Sequence, residues 1–185
     1  SGFQVVANRL DRNLVFYQAH AAGFWGARAG EKVAWDKLVT IAEAAGILLQ
    51  NQGIETQWKN IEDAIEWYTK AGWQLDQIGE RLFHMENEGG QDYGEILHLL
   101  RKTYQKMLDA ANQAFSELLH EKRHDDRPIK LPYAGESLLE ILKEKEPTAV
   151  FILDACRFDL AERIADRLNQ GEPELRAAVQ PVVAP

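Results

Sequence analysis

The chain has 185 residues, of which 45% are apolar, and this is enough for one large domain or two small ones with packed cores. Its formal net charge of −8 argues against nonspecific binding to duplex DNA as its main role, because phosphate binding relies on basic surface. No apolar run approaches the roughly 18–20 residues that span a bilayer. The single cysteine, Cys156, excludes an intramolecular disulfide and favours a reducing compartment. We therefore expect a cytoplasmic protein that does not enter a membrane.

Apolar residues recur at helical spacings of three and four through the first two-thirds of the chain. Stripes of this kind lie in residues 10–24, 34–48, 54–85 and 97–118. The last two are the longest, and the short Gly-rich stretch between them at residues 88–92 is typical of an antiparallel helical hairpin. We expect the two earlier helices to pack on this hairpin and to form a helical bundle over residues 1–122.

The third stripe predicts one long helix that begins at Ile54, includes Trp58 and runs to about Met85, with Gly72 interrupting the pattern. Gly72 lies on the apolar side of this helix, where a glycine costs about 1 kcal/mol relative to alanine. We expect a close crossing with another helix at Gly72 to offset that loss.

The composition changes after the fourth stripe. Residues 123–135 are charged, contain two prolines and end in glycine, which predicts a linker between two domains. Residues 136–185 are then expected to begin an α/β domain. A short amphipathic helix comes first, and its apolar residues are followed by Pro147, which is expected to end it.

The period of the pattern changes after Pro147. The run Ala149–Leu153 is rich in β-formers and lacks polar alternation, as in a strand that is buried on both faces. A helix over residues 159–168 and an extended segment over residues 177–184 complete a βαβ unit. One such unit leaves sheet edges unpaired, so we expect it to be truncated. The predicted fold class is mainly α, a helical hairpin or bundle, followed by a truncated α/β unit.

One group of residues in this unit could carry chemistry. Asp154 directly follows the predicted first strand, and ligands collect at the carboxyl ends of the strands in parallel sheets. A carboxylate there could hold a divalent cation or could cap the next helix. Arg157 suits a phosphate or a carboxylate, and it could equally form a structural ion pair with Asp159 or Glu162. Asp159 could cap the helix or add a second carboxylate to the cation site.

Residues 150–168, with the sequence VFILDACRFDLAERIADRL, resemble the opening of the PglZ domain of the alkaline phosphatase superfamily. The long helical region before them is similar in architecture to that of PglZ proteins of BREX phage-defence systems. The resemblance implies an alkaline-phosphatase-like fold in which Asp154 binds a divalent metal: zinc, manganese or magnesium. It also implies metal-assisted phosphoryl transfer on a phosphodiester or nucleotide substrate, with Arg157 as a candidate phosphate contact.

The family's Ser or Thr nucleophile and its further Asp and His ligands follow the matched region, and these 185 residues do not contain them. The resemblance therefore implies that this chain alone is inactive and does not hold the metal stably. It also implies that other phage-defence proteins are its partners. The second hypothesis is a non-catalytic helical scaffold for protein–protein interaction in a defence complex.

The histidines are scattered along the chain, and His120 and His124 are the pair whose separation of four residues matches a helical metal site. They lie at the predicted end of the fourth helix, which we expect to fray, and no acidic residue is placed to support a zinc site.

Overall fold

The computed structural model describes residues 2–24, 33–87, 93–125, 128–143, 148–151, 156–171 and 176–183. The α-helices in these ranges are α1 (Gly2–Arg12), α2 (Leu14–Ala22), α3 (Trp35–Gln50), α4 (Ile61–Trp67), α5 (Trp73–Asn87), α6 (Gly94–Glu121), α7 (Ala134–Lys143) and α8 (Phe158–Gly171). A short 3₁₀ helix (Ile54–Gln57) precedes α4, and a π-helix (Tyr68–Gly72) joins α4 to α5. Among these helices, none has both the length and the apolar character that a membrane crossing requires.

The chain divides into two compact units, one of residues Ser1–Lys59 with Gln74–Glu117 and the other of residues Asn60–Trp73 with Leu118–Pro185. The boundaries predicted from composition, with a bundle over residues 1–122, a linker over 123–135 and an α/β domain over 136–185, stay a prediction.

The predicted βαβ unit, and with it the alkaline-phosphatase-like α/β fold, is wrong for the part of the chain that the structure describes. Residues 148–151 and 176–182 have no regular secondary structure, and Val183 makes one isolated parallel bridge to Tyr133. Residues 152–153 and 184 lie outside the described ranges. The helix expected between the two strands is present as α8. An apolar run becomes a buried strand only when neighbouring strands pair its edges, and Phe151 instead stays 85% exposed.

In the first unit, α1 and α2 both pack against α3. The helical prediction for α3 is confirmed, since Ile41, Ala45 and Leu48 of its stripe are fully buried. Small residues let α1 approach closely, and a Cβ atom on Gly46 would lie 2.9 Å from Oδ1 of Asp11.

The first stripe lies on two helices instead of one, because the chain breaks at Asn13. The Asn13 amide Nδ2 donates to the carbonyl of Arg9 at 2.7 Å, and its backbone N–H bonds to the carbonyl of Leu10 at 3.1 Å. Asparagine favours such local bonds over helix propagation. None of the residues of α2 is fully buried, and Val15 and Phe16 are exposed.

The α5 and α6 helices of the first unit run antiparallel, as the hairpin prediction required. Tyr104 packs on Gly79, where an added Cβ would lie 2.5 Å from two ring-end atoms, Cζ and the hydroxyl oxygen. Arg101 donates from Nε and Nη2 to the Leu82 carbonyl at 3.1 and 2.8 Å. The later residue of α5, Leu82, thus contacts the earlier residue of α6, Arg101, which is the order that antiparallel helices give. The Gly-rich turn expected at residues 88–92 lies outside the described residues.

The third predicted helix is wrong at its start and interrupted in its middle. Asn60 caps α4, because its side-chain oxygen accepts from the Asp63 N–H at 2.9 Å, so Trp58 precedes the helix. The Gly72 region forms the π-helix, in which the Trp73 N–H reaches the Tyr68 carbonyl. The close neighbour of Gly72 is the indole of Trp67, 2.7 Å from an added Cβ, and not a crossing helix.

In the second unit, one carboxylate joins α4 to the region that follows α6. Glu62 accepts two hydrogen bonds from Nζ of Lys122, at 2.8 and 3.0 Å, and lies 3.6 Å from Nζ of Lys130. The hydrogen bond from Lys122 is the main reason that the pKa of Glu62 is held below its ordinary value. The carboxylate is thus stabilised in its charged form.

Adding a methyl group at Gly79 is expected to destabilise the protein. Gly79→Ala gains up to about 1 kcal/mol of helix propensity but overpacks against the nearly buried Tyr104 ring, so we expect a net loss of about 1–2 kcal/mol in unfolding free energy. Urea unfolding followed by circular dichroism measures the difference. Gly135→Ala is the control, because a Cβ there meets nothing within 4 Å. A Gly79→Ala protein as stable as the wild type would contradict the assigned contact.

The Glu62 carboxylate is expected to contribute stability that depends on pH. Because its pKa is lower in the folded than in the unfolded chain, its contribution is complete above the unfolded pKa of roughly 4.3 and is lost as the pH falls through the folded pKa. The unfolding free energy of the wild type should therefore exceed that of Glu62→Gln at pH 7, and the two values should converge as the pH falls below about 4. When both proteins also carry Lys122→Met, the difference in unfolding free energy between Glu62 and Glu62→Gln should depend little on pH. An equal difference at pH 7 and pH 3 would refute the assignment.

Candidate functional site

The predicted site residues lie at or just before the start of α8. Asp154 lies outside the described residues, so its role as a metal ligand stays a prediction. Arg157 immediately precedes the helix, and Asp159 is the second residue of its first turn. The structure brings Arg157 and Asp159 into direct contact.

The Arg157–Asp159 contact is a bidentate ion pair. Nε of Arg157 lies 2.9 Å from Oδ1 of Asp159, and Nη2 lies 3.0 Å from Oδ2. The Asp159 side chain is fully buried, whereas the Arg157 side chain is 53% exposed. A buried carboxylate requires compensation of this kind, and the N-terminal end of α8 adds favourable partial charge. Of the roles considered for these two residues, the structure shows the ion pair between them.

This pairing limits what Asp159 can do for a cation. Both of its oxygens already accept from the guanidinium, so a metal would have to share them with a positive charge. In the described ranges of the chain, no three histidine, cysteine, aspartate or glutamate side chains are placed to hold a metal ion.

The π-helix lies beside the start of α8. The ring centroids of Tyr68 and Phe158 are 6.0 Å apart, and those of Tyr68 and Trp67 are 6.4 Å apart. Sequence reasoning missed this neighbour of the candidate site. The available signal was the spacing of Trp67 and Gly72, because residues five apart stack in a π-turn and a glycine there makes room for the indole. Single π-turns of this kind recur at functional sites.

Cys156 is exposed at the same end of α8, and its Sγ lies 3.9 Å from the carbonyl oxygen of Arg157. Free cysteines are usually buried in folded proteins, but the thiol of Cys156 is exposed to solvent. A role as a nucleophile would need a base to activate the thiol, and the sequence around Cys156 indicates none.

Comparisons of the chain with known protein families, with curated proteins and with solved structures gave no match. The functional assignment therefore rests on the chain's own residues.

Removing Arg157 and removing Asp159 should lower the unfolding free energy by different amounts. Arg157→Ala leaves the Asp159 carboxylate buried without its partner, and we expect it to cost roughly 1–3 kcal/mol of unfolding free energy. Asp159→Asn removes the buried charge and leaves a half-exposed guanidinium that water can solvate, so it should cost less. Urea unfolding at pH 7 compares the two, with Arg167→Ala, an exposed arginine of α8, as the control. A larger loss of unfolding free energy in Asp159→Asn than in Arg157→Ala would contradict the view that the buried carboxylate depends on the arginine.

Proposed function

We propose that these 185 residues are part of a PglZ-like, metal-dependent phosphoesterase of the cytoplasm that acts in phage defence. The observation that carries the proposal is the motif around α8. Asp154 follows an apolar run, Arg157 lies three residues later, and the buried Asp159 holds the guanidinium of Arg157 while leaving it half exposed. This order of residues is the one that resembles the opening of a PglZ domain.

In this proposal the roles divide among the three residues. Asp154 is a ligand for the divalent metal, whether zinc, manganese or magnesium, which supplies charge neutralisation at the phosphoryl group. Arg157 contacts the phosphate oxygens of a phosphodiester or nucleotide substrate, because its planar guanidinium matches their geometry. Asp159 is a positioning residue, since its two bonds fix the plane of that guanidinium. The other metal ligands come from outside these residues.

The 185 residues by themselves are expected to be inactive. No serine or threonine follows Thr148, so the nucleophile that the resemblance places after Asp154 is not among them. The described residues also lack a metal-binding group of three ligands. Activity is therefore assigned to the parent protein, and other phage-defence proteins are its proposed partners.

A second candidate function is a non-catalytic helical scaffold, and exposed apolar side chains of the second unit favour it. Leu139 and Leu142 of α7 are each 60% exposed, and Ile164 and Leu168 of α8 are also exposed. No described residue of α7 is buried. Apolar helix faces of this kind suit protein–protein contact better than solvent.

Asp154→Asn in the parent protein separates these functions. The substitution keeps the side chain's size and its capacity to cap a helix but removes the negative charge that a cation needs. We expect hydrolysis of a generic phosphodiester to fall by about 100-fold or more, at the upper end of the losses seen when groups supporting a metal ligand are removed. Turnover is measured with zinc, manganese and magnesium in turn, and Asp166→Asn, an exposed aspartate of α8, is the control.

An active parent whose Asp154→Asn form keeps full turnover would refute the metal-ligand role of Asp154. A parent that is inactive with all three metals would favour the scaffold function instead.

A further inference from the structure

Residues 176–183, which follow α8, form an edge that the proposed function does not use. Exposed and half-buried side chains alternate along the whole segment, and the exposed ones are Arg176, Ala178, Gln180 and Val182. A period of two residues is the pattern of an extended chain, in which successive side chains point to opposite faces. The segment therefore has the side-chain pattern of a β-strand, although its one strand-like contact is the isolated bridge at Val183.

Pairs of hydrogen bonds fix the segment at both of its ends. The Ala177 N–H donates to the side-chain oxygen of Asn169 at 2.9 Å, and the Ala177 carbonyl accepts from the Asn169 amide at 3.0 Å. The Val183 N–H donates to the Pro132 carbonyl at 2.9 Å, and the Val183 carbonyl accepts from the Ala134 N–H at 3.0 Å. The segment is thus held in place without any partner chain.

These two pairs of bonds lie along the same edge of the segment. In an extended chain, the N–H and C=O of one residue point to one edge and those of the next residue point to the other. Ala177 and Val183 are an even number of positions apart, so both use one edge, termed here the bonded edge. Ala178, Gln180 and Val182 point to the opposite edge, termed the free edge, and these described residues form no hydrogen bond.

Pro181 does not block the free edge. A proline lacks a backbone N–H and therefore interrupts strand pairing on the edge that it faces. Pro181 has the same parity as Val183, so it faces the bonded edge, and every residue on the free edge keeps its N–H donor. The side chains on the free edge are also uncharged, whereas edge strands are commonly protected by charged residues. An unprotected edge is a template for pairing with another chain.

We propose that the free edge pairs with the free edge of a second copy of this chain, about a two-fold axis at Gln180. Identical edges that are related by such an axis meet as antiparallel strands. Gln180 then faces Gln180 of the second copy, and Ala178 faces Val182 of the second copy. Each facing pair exchanges two hydrogen bonds. A register shifted by two residues would leave fewer of these residues facing one another.

The side chains at these positions suit a second copy. The small Ala178 faces the larger Val182, and the two Gln180 amides can hydrogen-bond to each other because each has a donor and an acceptor. No like charges meet at these positions, and a charged partner strand would find no ion pair there. The groups that bond to the segment, on Asn169 and at residues 132–134, lie on the bonded edge and leave the free edge accessible. The contact is short, so the dimer should be weak and should depend on concentration.

Sedimentation velocity of the 185-residue chain, from micromolar to near-millimolar concentration, tests the proposal. The wild type should form a reversible dimer. Gln180→Pro removes the N–H at the centre of the contact from both copies, so the dissociation constant should rise by about tenfold or more. Val179→Pro is the matched control, because it places the same ring one residue away, where the N–H faces the bonded edge. This control should dimerise like the wild type.

Exchange of charge at Gln180 tests the position of the two-fold axis. Gln180→Lys and Gln180→Glu each place like charges opposite one another, so each variant alone should self-associate severalfold more weakly. An equimolar mixture of the two should restore the dimer, because a lysine then faces a glutamate. Gln180 is exposed, so neither change should unfold the protein, and circular dichroism verifies this for all of the variants. Asp154→Asn should dimerise like the wild type, which separates this result from that of the proposed function.

A wild type that stays monomeric up to near-millimolar concentration would overturn the proposal. A folded Gln180→Pro protein that dimerises as well as Val179→Pro would show that the free edge is not the contact. Failure of the lysine and glutamate variants to associate with each other would likewise refute the pairing about Gln180.

Discussion

The packing of α5 against α6 depends on the space that Gly79 leaves for the Tyr104 ring. With no side chain at that position, the aromatic ring can lie directly on the backbone of α5. One turn further along, Arg101 reaches across and donates twice to the Leu82 carbonyl. Together these two contacts fix the antiparallel register, because a shift of one helix along the other would place a side chain against the ring. The apolar residues at this interface can then be buried in one arrangement.

The sequence pattern predicted the buried faces better than the helix ends. The apolar residues that the stripes place inside and that the structure buries are Leu10, Ile41, Ala45, Leu48, Ile61, Leu75, Leu82, Leu97, Leu100 and Tyr104. Periodicity reports which face of a helix is apolar, and it does not report a local bond that ends the helix. The helix ends at Asn13 and Asn60 come from hydrogen bonds between the asparagine side-chain amides and nearby backbone groups. The spacing of the apolar residues does not change at these two positions, so it gives no sign of the ends.

The strand prediction failed for a different reason. A short apolar run has β-propensity only in the context of neighbours that pair with it, and those neighbours are not local in sequence. The segment after α8 illustrates the point, because the Asn169 side-chain amide donates to the Ala177 carbonyl and accepts from its N–H, at 3.0 and 2.9 Å. A single side chain here makes the pair of bonds that an adjacent strand would supply. The described part of this segment, residues 176–182, therefore carries such a pair of bonds without belonging to a β-ladder.

The candidate site shows why residue type and spacing left its roles open. Arg157 and Asp159 are two positions apart in every interpretation, whether the carboxylate caps a helix, binds a metal or pairs with the arginine. Burial decides among these roles, and burial of Asp159 depends on how α8 packs within the second unit. The pair is unequally solvated, with its negative end inside and its positive end half in water. The unequal solvent exposure of the two side chains suits the proposed function. A phosphate can approach the exposed side of the guanidinium while the buried carboxylate keeps its orientation, so substrate binding need not break the ion pair.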